Sequence, residues 1–299
     1  MKKIILILSS VGFLILTAIF LYVWYQFHSS IAFHVSAGDQ TPERFNLVVE
    51  PHQLTSADGI KLSSWYIPTK DPKAVVILVH GYSTSNGGKS EMLEESQFIH
   101  EAGYSTLLID LRSFGDSEGN KISLGTKEWQ DVAAVYDFAK SRPENKNKKV
   151  GLLGDSMGAA TAIITAGKTG KADFVIAQVP FSSYKTLLRE QIKREKYPSI
   201  LVPVLLPFLR LATALDLGLN YESYSPDKLV NNIKVPIFII GAQNDEWVGS
   251  GAGKILFHLA NQPKEFWQAN TTHDVFTDNP EELKRRILEF LAKYINSNS

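Results

Sequence analysis

One serine in a glycine-flanked turn is the residue of this chain best suited to covalent chemistry. Residues 154–158 read Gly-Asp-Ser-Met-Gly and follow a short apolar run, and a stretch compatible with a helix comes after them. A serine projected from a sharp strand-to-helix turn strains the backbone, and flanking glycines let the chain pass closely on both sides. The pattern predicts that Ser156 is a nucleophile.

A nucleophilic serine needs a base to take its proton and a carboxylate to orient that base. Of the seven histidines, His273 lies on a loop between a short predicted strand and the last predicted helix, where its ring is free to reach Ser156. Asp245 follows an apolar strand and is the predicted acid, with the adjacent Glu246 as the alternative. The chain order serine, aspartate, histidine differs from that of trypsin-like and subtilisin-like enzymes.

Two backbone amides are candidate donors to the oxyanion that forms during nucleophilic attack. The first is the Met157 amide, at the start of the helix after the serine, where the helix dipole also favours negative charge. The second is expected after the apolar run 74–80, where the segment His80-Gly81-Tyr82 offers the Tyr82 amide. We interpret the His80 side chain as a hydrogen-bonding brace for that loop.

Alternating strand and helix patterns predict the sheet that must position these residues. The apolar run 74–80 is typical of a strand buried on both faces of a parallel sheet. A hairpin is predicted from strands 45–50 and 60–67 around the Asp58-Gly59 turn. The alternation along the rest of the chain predicts an α/β protein with a mostly parallel, doubly wound sheet.

Residues 181–233 interrupt this alternation. They contain a basic amphipathic stretch, then an apolar stretch interrupted by prolines, and then a polar stretch. The segment is too long for a loop without secondary structure. An insertion at this point covers the carboxyl ends of the strands, where α/β sheets bind ligands. We interpret it as a cap, in which the apolar stretch 198–209 either lines a pocket for an acyl or aromatic ester or packs onto the core.

The N-terminus carries a candidate membrane anchor. Residues 4–25 are an uncharged run of 22 residues, about 33 Å of helix and long enough to cross a bilayer. Lys2 and Lys3 precede it and the next basic residue is Arg44, so the positive-inside bias predicts a cytoplasmic N-terminus and an extracytoplasmic remainder. The predicted protein is therefore a single-pass protein of the cell membrane. A cleaved signal peptide is the alternative, with small residues at 35–37, although the apolar run exceeds the roughly 7 to 15 residues typical of such peptides.

These patterns predict three segments: an anchor over 1–29, a connector over 30–44 and one domain over 45–299 that includes the cap. Basic and acidic residues number 31 each, so no net charge attracts nucleic acid. Cysteine is absent, which excludes disulfides, thiol nucleophiles and cysteine-ligated metal. No cluster has metal-ligand spacing and no glycine-rich segment fits a nucleotide loop, so neither metal nor cofactor is expected.

Taken together, the motifs resemble those of the α/β-hydrolase superfamily, in particular its serine esterase, lipase and S9- or S33-like peptidase branches with a short cap. The resemblance covers roughly residues 45–296 and rests on His80-Gly81-Tyr82, on residues 110–117 (DLRSFGDS), 154–158 and 241–245, and on His273 before 279–281. Ser113 stands where the second motif usually has glycine, and Trp247 follows the acid loop where relatives often carry a Val-Pro pair. The resemblance implies an α/β-hydrolase fold with a Ser-His-Asp triad.

Three functional hypotheses follow from these residues and this resemblance. The first is a membrane-anchored serine hydrolase that cleaves carboxylic esters, either acyl lipids or small hydrophobic esters, through an acyl-enzyme. The second keeps the triad but takes peptides as substrates, which extracellular exposure would suit. The third is a catalytically inactive hydrolase fold that acts as a surface binding module.

Overall fold

An eight-stranded sheet organises the part of the chain that the computed structural model describes, which is residues 2–84, 86–198, 200–218 and 220–295. The strands are β1 (Ser36–Ala37), β2 (Glu50–Thr55), β3 (Lys61–Ile67), β4 (Val75–Val79), β5 (Asn86–Gly87), β6 (Ser105–Ile109), β7 (Val150–Asp155), β8 (Val175–Gln178), β9 (Ile237–Ala242) and β10 (Lys264–Ala269). The α-helices are α1 (Lys2–Ile31), α2 (Leu93–Glu101), α3 (Trp129–Ser141), α4 (Met157–Thr169), α5 (Tyr184–Arg194), α6 (Leu201–Leu217), α7 (Pro226–Leu229), α8 (Ala252–Leu259), α9 (Val275–Asp278) and α10 (Pro280–Ile295).

The strands of the large sheet follow the order β10-β9-β8-β7-β4-β6-β3-β2. Neighbouring strands run parallel except at β3, which is antiparallel to both β6 and β2. Helices α3, α4 and α8 pack on one face, and α2 and α10 pack on the other. Every residue of β4 is buried, as the uninterrupted apolar run requires when both faces are covered. The predicted α/β-hydrolase fold with a mostly parallel, doubly wound sheet is confirmed.

The position predicted for the first strand of the hairpin, residues 45–50, is wrong. Residues Pro42–Phe45 form a 3-10 turn that ends at Asn46, and pairing with β3 begins only at Glu50, opposite Tyr66. The hairpin loop sets this register, because the Ser56 amide donates to the Ile60 carbonyl at 2.9 Å. The first strand must therefore end directly before Ser56, several residues later along the chain than the apolar pattern suggests.

The segment 181–233 is mostly helical and lies outside the sheet, since none of its residues belongs to a strand among those described. The apolar stretch that prolines seemed to divide is one helix, α6, which continues through Pro207. Helix α5 begins at a polar cap, because the Ser183 hydroxyl accepts the Thr186 amide at 3.1 Å. Helices α5 and α6 contact each other, and α6 also packs along α1.

Within the described residues, α1 is the one helix long and apolar enough to cross a membrane, and its most apolar window is not buried by the rest of the protein. A signal sequence near an N-terminus also meets these criteria of length and hydropathy, so the anchor and its topology stay predictions. The connector after α1 is packed rather than free. Val35 is only 1% exposed, its amide donates to the Ser113 carbonyl, and its carbonyl accepts the Gly115 amide.

We expect Ser113→Gly to stabilise the protein. Ser113 has φ of 67°, is fully buried, and its hydroxyl has no hydrogen-bond partner in the part of the chain that the structure describes. A left-handed residue with a side chain costs about 1–2 kcal/mol and an unsatisfied buried hydroxyl about 1–3 kcal/mol, against about 0.5–1 kcal/mol of added chain entropy for glycine. Urea denaturation should show the free energy of unfolding rising by at least about 1 kcal/mol.

The matched control is Asn46→Gly, at an exposed residue with φ of 55°. Asparagine tolerates the left-handed region, so this change should move the free energy of unfolding by less than about 0.5 kcal/mol. A Ser113→Gly variant less stable than the parent protein would contradict the interpretation.

Candidate active site

The turn that carries Ser156 is strained and is held by close backbone packing. Ser156 joins β7 to α4 with φ of 50° and ψ of −109°. A Cβ on Gly154 would lie 2.3 Å from the Gly158 carbonyl oxygen, and a Cβ on Gly158 would lie 2.0 Å from the Val79 carbonyl oxygen. Both flanking glycines are therefore required by packing, as the motif indicates. The Ser156 amide donates to the Gln178 carbonyl at 2.9 Å, which fixes the turn to β8.

Three side chains that are far apart in the sequence meet at this turn. The Nε2 atom of His273 lies 2.8 Å from the Ser156 hydroxyl, and its Nδ1 atom lies 2.7 Å from Oδ2 of Asp245. With Nδ1 protonated, the ring donates to the carboxylate and Nε2 can accept the serine proton. Glu246, the alternative acid, is exposed. The carboxylate that contacts the His273 ring is that of Asp245.

Asp245, the predicted acid, is buried and held in place by its own loop. Its side chain is 1% exposed, and its Oδ1 accepts the amides of Trp247 at 2.8 Å and Val248 at 2.9 Å. Burial acts to raise the pKa of Asp245, but the hydrogen bonds from His273 and from these two amides outweigh it and hold the pKa below its usual value. Asp245 therefore stays ionised beside the imidazole.

The pKa of His273, the predicted base, is shifted in the opposite direction. Burial acts to lower the pKa of His273, but the hydrogen bond to Asp245 and the negative charges of Asp245, Asp155 and Asp274 outweigh it and raise the pKa. An imidazolium formed during proton transfer is therefore stabilised by its surroundings. Acid pH removes the neutral ring that acts as a base.

Sequence reasoning missed two carboxyls near Ser156, the half-buried Asp155 and the buried Glu95. Burial raises the pKa of Asp155 to about 6, with the charge of His273 opposing it, and burial raises the pKa of Glu95 to about 8. The Gln178 amide group donates to Glu95 at 2.9 Å. Asp155 occupies a variable position of the motif, and Glu95 lies in a polar predicted helix, so neither carried a signal of burial. Among the described residues, no group of three His, Asp or Glu side chains is arranged to hold a metal ion.

The candidate oxyanion donors lie on both sides of Ser156. Met157 is the first residue of α4, where a helix leaves its amides without intrahelical partners. A Cβ on Gly81 would lie 3.5 Å from the Ser156 Cβ, so the Gly81-Tyr82 backbone runs directly beside the nucleophile. This placement fits the predicted role of the Met157 and Tyr82 amides.

Two side chains hold the loop that carries Tyr82. His80 is fully buried; its Nδ1 lies 2.8 Å from the Gly81 carbonyl, and its Nε2 accepts the Leu111 amide at 3.1 Å. Burial lowers the pKa of His80, so the ring is a neutral brace. The Tyr82 hydroxyl donates to the Ser30 carbonyl at 2.9 Å, which ties the loop to the end of α1.

The cap is tied to the loop that carries Asp245, the predicted acid. The Arg194 guanidinium, at the end of α5, lies 4.3 Å from the centre of the Trp247 ring and donates to the Glu246 and Trp247 carbonyls at 3.2 Å. The Trp247 ring lies 6.5 Å from the His273 ring. Trp247 therefore connects the cap to the site and forms part of the wall beside the base.

Comparison with known proteins agrees with this fold. The family model described as serine aminopeptidase, S33 matches residues 70–213, slightly less than half of the chain. The structure of the Pyrococcus furiosus esterase Pf2001 is similar, with a TM-score of 0.70 and 27% sequence identity, over 88% of this chain and 99% of that chain. These matches and the fold support a place for the chain in the α/β-hydrolase superfamily and a hydrolase activity.

Curated relatives are similar over much of the chain. The protein YqkD of Bacillus subtilis, whose function is uncharacterised, is 27% identical over 80% of this chain and 77% of its own length. The lysophosphatidylserine lipase ABHD12 of Danio rerio is 27% identical over 68% of this chain and 52% of its own length.

The pH profile tests the assignment of the base. Activity should fall as pH drops through the raised pKa of His273, so the acid limb of kcat/KM should have its midpoint above the ordinary value of 6.5. Asp245→Asn removes the main influence that raises this pKa. The acid limb should then move to lower pH, and the maximal rate should fall by roughly 10⁴-fold.

Glu246→Gln is the matched control, because it neutralises the exposed neighbouring carboxylate. Its pH profile and rate should stay within about twofold of the parent protein. A profile that is flat from pH 5 to 8, or one that responds to Glu246→Gln instead of Asp245→Asn, would overturn the assignment.

Proposed function

We propose that this protein is a serine hydrolase that cleaves carboxylic esters, either of acyl lipids or of small hydrophobic molecules. The observation that carries the proposal is the chain of two short hydrogen bonds from Ser156 through His273 to the buried Asp245. A serine poised this way beside a neutral imidazole is suited to acyl transfer.

The proposed reaction has two halves. In the first, His273 Nε2 takes the hydroxyl proton as Ser156 Oγ attacks the acyl carbon, and the amides of Tyr82 and Met157 stabilise the oxyanion. The imidazolium, held by Asp245, then protonates the leaving alcohol, and the acyl-enzyme remains. In the second half, His273 deprotonates a water that attacks the acyl carbon, and the carboxylic acid leaves as Ser156 recovers its proton.

Two similarities favour esters as substrates. The Pyrococcus furiosus protein, which is similar to 88% of this chain, is an esterase. The Danio rerio relative is a lysophosphatidylserine lipase. The apolar helix α6 in the cap and the long apolar α1 suit a hydrophobic substrate. A peptide substrate is the second candidate, because the matching family model is that of a serine aminopeptidase.

Ester turnover by full-length protein should depend on Ser156. The parent protein should hydrolyse short-chain p-nitrophenyl esters, and Ser156→Ala should lower kcat by roughly 10⁴-fold or more. Ser141→Ala, at an exposed serine of α3, is the control and should keep full activity.

The same preparation should be tested on amino-acid p-nitroanilides. Turnover of these amides without turnover of esters would favour the peptidase. Absence of both activities, in protein that is folded, would favour the binding module.

We also propose that α1 anchors the protein in the cell membrane with the catalytic part outside the cytoplasm. The chain has no cysteine, so Ser141→Cys provides a single exposed thiol on the catalytic part. In intact spheroplasts, a membrane-impermeant maleimide should label this thiol as fully as it does after permeabilisation. Labelling only after permeabilisation would reverse the proposed topology.

A further inference from the structure

The last turns of α1 form one wall of a cavity in the catalytic part of the protein. This cavity has a volume of about 310 Å³ and lies between α1 and the cap helices α5 and α6. Helix α1 contributes Val23 and Phe27 to its lining, and α6 contributes Leu205 and Leu209. Most lining side chains are apolar or aromatic, and the volume is near the lower end of the roughly 300–1,000 Å³ of ligand sites. Such a cavity suits a slender apolar ligand.

Polar contacts fix α1 against the cap at this point. The His28 ring nitrogen Nδ1 lies 2.9 Å from Oδ1 of Asp216, whose side chain is 6% exposed. Lys121 donates to the Asp216 carbonyl at 3.0 Å. These contacts hold the end of α1 beside α6, so the wall that α1 provides is a built part of the cavity.

One side of the cavity packs against α4, the helix that begins directly after Ser156. Leu124 and Tyr184 line it, and both pack in one cluster with Ala160 of α4. The Ala160 amide donates to the Ser156 carbonyl at 3.1 Å, so this cluster is one helical turn from the nucleophile. This side, formed by Leu124 and Tyr184, is the one from which an acyl chain attached to Ser156 would enter the cavity.

The oxyanion loop provides a second link between the cavity and the site. Ser30 lines the cavity, and its carbonyl accepts the hydroxyl of Tyr82, whose amide is a candidate oxyanion donor. The Tyr82 ring also packs edge-on against Phe33, with 6.2 Å between the ring centres. The end of α1 thus contacts the loop that faces the reacting group.

The position of the cavity along α1 indicates the source of its ligand. The run 4–25 is long enough to cross the hydrocarbon core, with Tyr22 and Tyr25 at the end where aromatic residues mark a membrane interface. The cavity lining begins at Tyr22. Beside it, α6 exposes Leu211 and Leu215, which are 50% and 64% exposed. With α1 spanning the membrane as proposed, the cavity would lie at the level where acyl chains leave the bilayer.

We propose that this cavity is the acyl-chain site of the enzyme, that α1 is part of the substrate site, and that the substrate is a long-chain lipid ester taken from the membrane. This inference rests on the proposed ester hydrolysis. It assigns α1 a role in substrate choice as well as in anchoring.

The test compares Val23→Trp, which fills the cavity from α1, with Leu21→Trp, a control at a 52% exposed residue that does not line it. Full-length proteins in lipid nanodiscs are assayed on p-nitrophenyl acetate and p-nitrophenyl laurate. Each methylene removed from water is worth about a factor of four, so displacing two should lower kcat/KM for laurate roughly fifteenfold. The laurate-to-acetate ratio of kcat/KM should therefore fall in Val23→Trp, whereas both activities of Leu21→Trp should stay within twofold of the parent protein.

The outcomes separate the two proposals. If the parent protein turns over neither acetate nor laurate, the proposed esterase function fails. If acetate is turned over but Val23→Trp leaves the laurate-to-acetate ratio unchanged, the inference about the cavity fails alone.

A second measurement decides the matter if Val23→Trp loses both activities through misfolding. The parent protein is treated with a fluorophosphonate whose long alkyl chain ends in a diazirine, irradiated and mapped by mass spectrometry. Crosslinks from the Ser156 adduct to residues 22–31 are expected. Crosslinks confined to other segments would overturn the inference.

Discussion

The close passage of the first turn of α4 over the end of β4 is the constraint on which the site depends. The Cα of Gly158 lies so near the Val79 carbonyl that any side chain would overlap it, and Gly154 faces the same restriction on the other side. This contact holds Ser156 in a backbone conformation that a residue with a side chain rarely adopts. Without it the hydroxyl would not stand at the edge of the sheet, and the His273 and Asp245 loops would have no nucleophile to meet.

The site combines one buried carboxylate that stays ionised with others that burial makes easier to protonate. Asp245 keeps its charge because two amides and the imidazole donate to it. Within the described residues, Glu95 accepts from the Gln178 side chain and Asp155 has no comparable set of donors, and burial raises the pKa of each. The difference places a stable negative charge at Nδ1 of His273, where it favours the tautomer that a general base requires.

Much of this could be read from the sequence because the informative residues are local. A strand followed by Gly-x-Ser-x-Gly specifies its own turn, and an apolar strand that ends in a polar loop places Asp245 at the carboxyl edge of the sheet. The predicted start of β2 is wrong because the strand register depends on the hydrogen bond that closes the loop at 56–60. Apolar periodicity carries no information about that hydrogen bond. Packing between distant segments buries Glu95 and brings α1 against the cap. Local sequence patterns predict neither contact.

The proposed hydrolysis requires that His273 activates Ser156. The most direct measurement is covalent labelling of the full-length protein with a fluorophosphonate, followed by peptide mapping. The account predicts a single modified residue, Ser156, with labelling lost in His273→Ala while that variant remains folded. A label on another serine, or equal labelling of Ser156 in His273→Ala, would contradict it.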